Sequence, residues 1–250
     1  LIGFNGDVIC GNINNIADLD LLGDYNFDYI FHHAAISDTR VYNQHTIIQT
    51  NVNSFYNLLN IVQRDNAVLV YASSAATYGS LNAPQIVGIE NPENPYGFSK
   101  LLMDQIAYKF SIKNSERTIV GLRFFNVFGP KEFYKAKTSS MIIQLAHQIL
   151  NGSPPRLFEG SKNILRDFIY IDDVIQANIK ACEPRHNGTY NVGTGISRSF
   201  QDIADILQKE LGTNLATEYF DNPYNDYQLE TRADISSTIT NLNFKPVFSL

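Results

Sequence analysis

The sequence has few cysteines, no basic run and no long apolar segment. Its two cysteines, Cys10 and Cys182, lie far apart and outside any C-x-x-C pattern, which argues against a disulfide framework or a structural zinc site. The formal net charge of -6 comes without a basic run, so the electrostatic attraction behind nucleic-acid binding is missing. No segment reaches the roughly 20 apolar residues of a membrane-spanning helix. We expect a cytoplasmic protein that binds no nucleic acid, membrane or metal.

What the chain does have is a regular alternation of patterns. Hydrophobic residues make up 44% of the 250 positions, enough to bury a full core. Short β-branched or aromatic runs alternate with apolar residues at helical spacing, which is typical of a parallel sheet wrapped by helices. The expected strands are Asp7–Cys10, Tyr29–His32, Ala67–Ser73, Ile119–Phe124, Phe168–Tyr170 and Thr189–Val192. The expected helices are Ile47–Val62, Leu101–Phe110, Met141–Leu150, Val174–Ala181 and Phe200–Leu211.

Tyr96 and Lys100 form a Y-x-x-x-K spacing. Residues four apart share one face of a helix, so the phenol and the ammonium are expected side by side. A neighbouring cation favours the phenolate, and we therefore expect the pKa of Tyr96 to fall toward the range of a general base. The spacing alone is weakly specific, because a surface tyrosine beside a solvated lysine would produce it equally well.

A segment upstream strengthens that interpretation. Tyr71 to Gly79, with the sequence YASSAATYG, leaves a predicted strand and supplies Ser73 and Ser74 ahead of Tyr96. A serine hydroxyl at that point can hydrogen-bond a substrate oxygen while the tyrosine takes its proton; a serine turn at the strand end is the structural alternative. Together, the strand-end serine and the Tyr-x-x-x-Lys spacing resemble the extended short-chain dehydrogenase/reductase family, the nucleotide-sugar epimerases and dehydratases.

Further segments resemble the same family in its expected order. His32 to Ala35 (HHAA) is similar to its H-x-A-A motif beside the dinucleotide, and Asn51 is similar to its helix asparagine. Arg123 to Pro130 (RFFNVFGP) resembles R-x-x-N-V-x-G-P, and Arg166 to Val174 (RDFIYIDDV) resembles R-D-F-x-x-x-x-D-V. Leu157 to Ser161 (LFEGS) is similar to a substrate loop found in part of the family.

The resemblance implies roles for individual residues. The implied catalytic residues are Ser74, Tyr96, Lys100 and a second acid/base, Lys135, with Lys137 as the alternative position because the sequence carries two extra residues before Ser140. The implied cofactor contacts are His33, Ala34, Ala35, Ile36, Ser37, Asn51, Lys100, Val127 and Lys135. The implied substrate contacts are Ser74, Asn126, Ser140, His147, Phe158, Glu159, Gly160, Ser161, Arg166 and Tyr227. A solvated charge, a half-buried histidine and a packing aromatic are the structural alternatives for Lys135, His147 and Tyr227.

The family also implies the fold and the ligands. We expect a Rossmann-like α/β protein, a doubly wound parallel sheet with a smaller lobe that binds substrate. Pro and Gly clusters at 129–130 and 152–155 predict where the chain leaves the sheet. The expected domains are an incomplete dinucleotide-binding domain at 1–130 and a substrate-binding lobe at 131–250, with 166–185 returning to the sheet. The implied ligands are NADP, with NAD as the alternative, and a nucleotide sugar; a homo-oligomer is the implied assembly.

One expected element of this family is missing. The 15 glycines form no G-x-G-x-x-G, the turn that brings backbone N–H groups to a dinucleotide pyrophosphate. Gly193-Thr194-Gly195 comes nearest but lacks the third glycine and lies late in the chain. We therefore expect a βαβ unit of roughly 30 or more residues to precede Leu1.

Two other functions stay open at this point. The first is another nucleotide-sugar enzyme of the family, such as a UDP-hexose epimerase or a dehydratase. A dehydratase usually carries acidic residues just after its catalytic serine, whereas Ala75, Ala76 and Thr77 supply none, which argues against a dehydratase. A cofactor-free binding fragment would account for the missing glycine-rich turn. Against it, the later functional positions are intact, and a decayed scaffold would have no reason to keep them.

Overall fold

Strands and helices alternate along the chain, as the sequence predicts. The computed structural model describes residues 5–183, 187–223 and 228–250. The strands are β1 (Tyr29–His32), β2 (Val68–Ser74), β3 (Ile119–Phe124), β4 (Asn126–Phe128), β5 (Arg156–Phe158), β6 (Leu165–Tyr170), β7 (Gly188–Val192), β8 (Ser197–Ser199) and β9 (Glu218–Phe220). The α-helices are α1 (Ile16–Asp20), α2 (Gln44–Ile47), α3 (Ser54–Asp65), α4 (Pro95–Lys113), α5 (Met141–Leu150), α6 (Ile171–Lys180), α7 (Phe200–Glu210) and α8 (Ser236–Leu242).

The main sheet is parallel, with the strand order β1-β2-β3-β7. Successive residues of a strand face opposite sides. Leu69 and Ile119 accordingly pack on one side with α3 and α4, whereas Val70 and Val120 pack on the other side with α6. Burial from both sides explains why these strands are nearly continuous apolar runs. The predicted doubly wound α/β sheet is confirmed.

A second, smaller core lies beside the main sheet. Strand β6 pairs with β4 in parallel and with β8 in antiparallel orientation, and β5 pairs with β9. Leu145, Phe168 and Phe200 are buried together there. The segment 166–185 divides between the two cores, because α6 packs on the main sheet whereas β6 pairs outside it. The predicted domain boundary at 130 stays a prediction.

Some local predictions are wrong. The expected strand Asp7–Cys10 does not form, and Val8 is 60% exposed. A strand preference reflects the fit of side chains to a half-buried pleated surface, and these residues have no such surface. The sequence patterns also missed β4, β5, β8 and β9, since three residues are too few to show a period.

The helix that carries the Y-x-x-x-K spacing begins earlier than expected, at Pro95 instead of Leu101. Asn94 caps it by accepting a hydrogen bond from the backbone of Gly97 at 2.8 Å, and Pro95 suits the first helical position. Tyr96 and Lys100 therefore both lie in its first two turns.

Among the residues that the structure describes, no helix combines the length and apolarity needed to cross a membrane.

Candidate active site

The sequence candidates gather where the main strands end. His32 closes β1, and Ser74 on β2 lies opposite Phe124 on β3, so these ends form one edge of the sheet. The segment 33–37 follows β1 directly at the same edge. In open parallel sheets, ligands bind in the crevice outside the carboxyl ends of the strands. This edge is therefore where a ligand of this fold is expected.

Ser74 and Tyr96 meet because α4 starts against the turn that follows β2. Ser74 caps the short 3-10 turn Ala75–Tyr78 by accepting from the backbone of Ala76 at 3.1 Å. The pKa of Tyr96 is raised by burial, and a side-chain hydrogen bond with Ser74 opposes that rise. The strand-end serine thus lies near enough to the phenol to influence its pKa, so both hydroxyl groups can face one substrate oxygen.

Lys100 lies beneath the phenol. Its side chain is 2% exposed, its Nζ donates to the carbonyl oxygen of Ala72 at 2.7 Å, and it lies 5.9 Å from the centroid of the Tyr96 ring. Burial lowers the pKa of Lys100 to about 8, although the negative charge of Asp104 opposes this. The expected lowering of the Tyr96 pKa is wrong for this structure, because the phenol itself is buried and loses hydration.

Asn51 holds the segment 33–37 in place. It lies in a π-helical stretch, Ile48–Asn53, between α2 and α3 and is fully buried. Its side chain accepts from the backbone of Ile36 at 2.9 Å and donates to the Ile36 carbonyl and to Ser99. The amide expected to contact a cofactor is therefore bonded to protein. It ties the segment after β1 to the helix of Tyr96.

The rest of that segment lines the edge. His33, Ala34 and Ser37 are exposed, whereas Ala35 and Ile36 are half-buried. The His33 ring stacks on Phe124 with centroids 6.0 Å apart. His32 is buried, and its Nε2 has no hydrogen-bond partner in the described parts of the chain.

Asn126 and Val127 lie on β4, both half-buried. The Asn126 amide donates to the Asp167 carbonyl at 3.2 Å and to the Thr231 hydroxyl at 3.3 Å. The Asp167 carboxylate accepts from the backbone of Thr194, Gly195 and Ala233. It therefore joins its own strand, β6, to two other segments of the chain. This anchoring fixes the position of Asn126 relative to the smaller core.

Lys135 lies in a 3-10 turn, Glu132–Thr138, where it is exposed. Buried Glu132 closes this segment by accepting from the backbone of Gly129 at 3.1 Å and from the backbone and hydroxyl of Ser140 at 2.7 and 2.8 Å. The Ser140 hydroxyl also caps α5 through the backbone of Ile143. The Ser140 hydroxyl, which the family resemblance assigns to substrate, is therefore already hydrogen-bonded to protein groups.

The residues at the end of β5 and in the loop after it differ in how far they are exposed to solvent. Phe158 packs edge-on against Phe220 with centroids 5.0 Å apart, and Glu159 and Gly160 are exposed. Ser161 is 1% exposed, and its hydroxyl has no hydrogen-bond partner within the described ranges. This hydroxyl is a polar group in the loop that a ligand atom could satisfy.

Arg166 is buried and donates to main-chain carbonyls of Leu165, Gln228 and Leu229. Those bonds hold the segment that follows Tyr227, which lies outside the described residues. His147 is exposed on α5, so the half-buried alternative is wrong, because the buried face of that helix belongs to Leu145 and Ile149.

Sequence reasoning missed the buried charges around these residues. Asp104 and Arg123 form an ion pair at 2.8 Å, and Glu90 pairs with Arg123 at 2.6 Å. The one available signal was the spacing of Asp104, one helical turn after Lys100. The partner on β3 could not be read from that spacing.

Comparisons with known proteins identify the family of this chain. A protein-family model described as "NAD dependent epimerase/dehydratase family" matches residues 5–193. The chain is similar to Helicobacter pylori ADP-L-glycero-D-manno-heptose-6-epimerase, with 46% identity over 99% of this chain and 77% of that chain, and a TM-score of 0.90. It is also similar to the UDP-N-acetylglucosamine 4-epimerase of Methanobrevibacter ruminantium, with 27% identity over 95% of this chain and 74% of that chain, and a TM-score of 0.83.

A more distant solved structure supports the fold alone. The UDP-glucose 4-epimerase of Thermotoga maritima has 22% identity over 96% of this chain and 79% of that chain, with a TM-score of 0.86. The family model covers well over half of the sequence and includes Ser74, Tyr96 and Lys100. The chain therefore belongs to the NAD dependent epimerase/dehydratase family.

Proposed function

We propose that this chain is an ADP-L-glycero-D-manno-heptose 6-epimerase. It interconverts ADP-D-glycero-D-manno-heptose and ADP-L-glycero-D-manno-heptose at the sixth sugar carbon, in the synthesis of the lipopolysaccharide inner core. The observation that carries the proposal is the meeting of Ser74, Tyr96 and Lys100 in a chain 46% identical to the Helicobacter pylori enzyme of that name. A cytoplasmic homo-oligomer belongs to the same proposal and rests on the family resemblance.

The family is described as NAD dependent, which makes a nicotinamide dinucleotide its cofactor. The residues at the sheet edge fit such a group. The Lys100 ammonium has three N–H donors and gives one of them to the Ala72 carbonyl, so it has donors to offer a ligand. The buried Nε2 of His32 lacks a hydrogen-bond partner in the described parts of the chain. His33 to Ser37, Lys100 and Val127 would hold the cofactor, with Asn51 holding the segment in place. NADP, as opposed to NAD, is our specific proposal and rests on the resemblance.

The chemistry explains why a redox cofactor is needed. The hydrogen on the sixth carbon of the heptose is not next to a carbonyl, so it is not acidic and a base alone cannot remove it. A bound nicotinamide supplies a hydride acceptor and then a hydride donor, which leaves no net redox change. The protein has to accept the hydroxyl proton as the hydride leaves, hold the resulting ketone, and return a proton when the hydride comes back.

Tyr96, Ser74 and Lys100 perform these proton steps in one orientation of the sugar. The Tyr96 oxygen accepts the proton of the hydroxyl on the sixth carbon, while the Ser74 hydroxyl hydrogen-bonds the same substrate oxygen. Because burial raises the pKa of Tyr96, the phenolate needs a stabilising cation, and Lys100 is the cation beneath the ring.

Lys135 is the proposed second acid/base. Returning the hydride to the opposite face requires the ketone to turn over, after which its oxygen no longer faces Tyr96. An ammonium on the other side can then supply the proton. Lys135 is exposed in the turn closed by Glu132, which leaves it accessible to a substrate. Asn126, the 158–161 loop and Arg166 complete the proposed substrate side, with Ser140, His147 and Tyr227 assigned by resemblance.

The test is a comparison of substrates. The purified protein is incubated with the dinucleotide and with either ADP-D-glycero-D-manno-heptose, UDP-glucose or UDP-N-acetylglucosamine, and products are identified by NMR. We expect epimerisation of the ADP-heptose alone and no accumulation of reduced nicotinamide. Epimerised UDP sugars or a dehydrated product would assign another member of the family. A folded protein that binds no dinucleotide and turns over no sugar would favour a non-catalytic fragment.

A further inference from the structure

A cluster of charges with little exposure begins one helical turn after the candidate catalytic residue Lys100. Asp104 follows Lys100 by one turn of α4 and is 6% exposed. Its Oδ1 accepts from the Tyr71 hydroxyl at 2.9 Å, and its Oδ2 accepts from the Ser73 hydroxyl at 3.0 Å. None of these groups has a role in the steps described so far, yet each is buried, where an ionised carboxylate is costly unless it is well paired.

The partner of this carboxylate is Arg123. Its Nε and Nη2 donate to Asp104 Oδ2 at 3.0 and 2.8 Å, and its Nη1 donates to Glu90 at 2.6 Å. A guanidinium stays charged in proteins, so a side chain that is 2% exposed requires an anionic neighbour. Burial raises the pKa of Asp104, and the charge of Arg123 is the largest opposing influence.

The same contacts fix how α4 sits on β2. The side chains of Tyr71 and Ser73 bond Asp104, and the carbonyl of Ala72 between them accepts from Lys100. Three consecutive residues of β2 therefore hold two residues of α4 in one register, and the next strand residue is Ser74. A Cβ on Gly121 would lie 2.4 Å from the Tyr71 hydroxyl, so the glycine in the neighbouring strand provides the space that this hydroxyl occupies.

The charges balance within the cluster. Lys100 and Arg123 are two cations, and Asp104 and Glu90 are two anions. The charge of Lys100 also acts on His32, the last residue of β1, and on the adjacent His33; burial is the largest cause that lowers the pKa of both. Neither histidine supplies a negative charge, and Tyr96 and Tyr71 are phenols with raised pKa values. Asp104 is the only carboxylate whose charge acts on Lys100 among the contributions to its pKa in the described structure.

We propose that Asp104 is a positioning residue for the reaction: it sets the register of α4 on β2 and keeps the Lys100 ammonium charged beside Tyr96. Asp104 touches neither Tyr96 nor a substrate in this role, and it acts through Lys100. The proposal deepens the proposed epimerase mechanism and rests on it for the meaning of activity. The state of Lys100 itself can be measured whatever the substrate is.

The primary variant is Asp104→Asn, which keeps the size of the side chain and acceptors for Tyr71 or Ser73 but removes the charge. We expect the alkaline limb of the kcat profile, where Lys100 loses its proton, to move to lower pH by about one unit. The KM for the nucleotide sugar should stay within about twofold, because Asp104 does not touch substrate. An unchanged profile in a folded Asp104→Asn enzyme would overturn the proposal.

Two further variants separate charge from structure. Ser73→Ala removes one hydrogen bond to Asp104 but no charge, so the alkaline limb should stay where it is in the unaltered protein. Asp173→Asn removes a different buried carboxylate, which accepts from the backbone of Val247 and Phe248 near α6, and it should also leave the profile unchanged. If all three variants shifted the limb alike, the effect would be general loosening and the proposal would be wrong.

A readout without substrate keeps the test independent of the epimerase assignment. Protein labelled with 13C at lysine Cε is titrated by NMR, with Lys100→Met identifying the Lys100 signal. We expect the Lys100 midpoint to fall in Asp104→Asn, and an unchanged midpoint would contradict the proposal even if no sugar were turned over. Should Asp104→Asn fail to fold, the same titration is made on Asp104→Glu, which moves the carboxylate but keeps its charge. The Lys100 midpoint is expected to stay where it is in the unaltered protein, and a fallen midpoint in that variant would contradict the proposal.

Discussion

Gly97 lies directly against the carbonyl oxygen of Ala76, so closely that a Cβ on Gly97 would be 2.3 Å from that oxygen. The contact joins the first turn of α4 to the 3-10 turn after Ser74. It therefore sets the distance between the strand that carries Ser74 and the helix that carries Tyr96. A residue between the two candidate catalytic positions of the Y-x-x-x-K motif thus has a steric task of its own.

Gly97→Ala is expected to damage both folding and activity, because the backbone of Ala76 cannot give way as a flexible side chain would. We expect the free energy of unfolding to fall by about 2 kcal/mol. We expect kcat to fall at least about tenfold, which corresponds to about 1.4 kcal/mol in the activation barrier. Urea unfolding and steady-state kinetics measure the two effects. Gln105→Ala, at an exposed position of the same helix, is the matched control and should change neither.

Tyr96 and Lys135 are expected to serve different epimers. The equilibrium constant fixes the ratio of the forward and reverse rates of the full reaction, so that reaction cannot separate the two residues. The oxidation of each epimer is therefore measured alone, as the absorbance of reduced nicotinamide in a single turnover. We expect Tyr96→Phe to slow oxidation of one epimer, and Lys135→Met that of the other, each by about 10²–10⁴-fold. Tyr108→Phe and Lys131→Met remove exposed groups and serve as controls. Equal slowing of both epimers by each variant would refute the division of labour.

His32 predicts a pH-dependent contribution to stability. Burial, with the charge of Lys100 as the second cause, lowers the pKa of His32 to about 4 from its ordinary value near 6.5. Between these values the unfolded chain binds a proton that the folded chain does not, so stability falls as pH falls. The contribution lost across this window is about 3 kcal/mol.

The measurement is the free energy of unfolding of the unaltered protein and of His32→Gln from pH 7 to pH 4. Asp104 and Asp167 have pKa values raised by burial and act in the opposite sense, so the difference between the two curves is the informative quantity. We expect the His32→Gln curve to lose less stability over this range. Parallel curves would show that His32 does not contribute.

Ser140 is expected to matter for stability more than for substrate affinity. Its hydroxyl caps α5 and donates to Glu132, and losing a helix cap costs about 1 kcal/mol. Ser140→Ala should therefore lower the free energy of unfolding by about that amount with little change in KM. Ser153→Ala, at an exposed position after the same helix, is the control. A large rise in KM without loss of stability would instead support direct contact with substrate.

Local sequence was enough for the order of the main elements. β1 and β3 match the expected bounds, as does α5, because long apolar runs and three- and four-residue spacings report burial within one element. The Y-x-x-x-K spacing likewise predicted a shared helix face, since helical geometry over four residues is local. The strand-end serine and the family resemblance followed from contiguous motifs in the same way.

Contacts between elements decided the rest. Asp104 and Arg123 are 19 residues apart, and no periodicity connects a charge on α4 with a charge on β3. The raised pKa of Tyr96 and the main-chain carbonyls bound by Arg166 depend on which surfaces pack together. A residue's type and spacing fix which interactions are possible, whereas its loss of water and its nearest charges are set only when distant segments meet, and those two quantities govern the chemistry of this site.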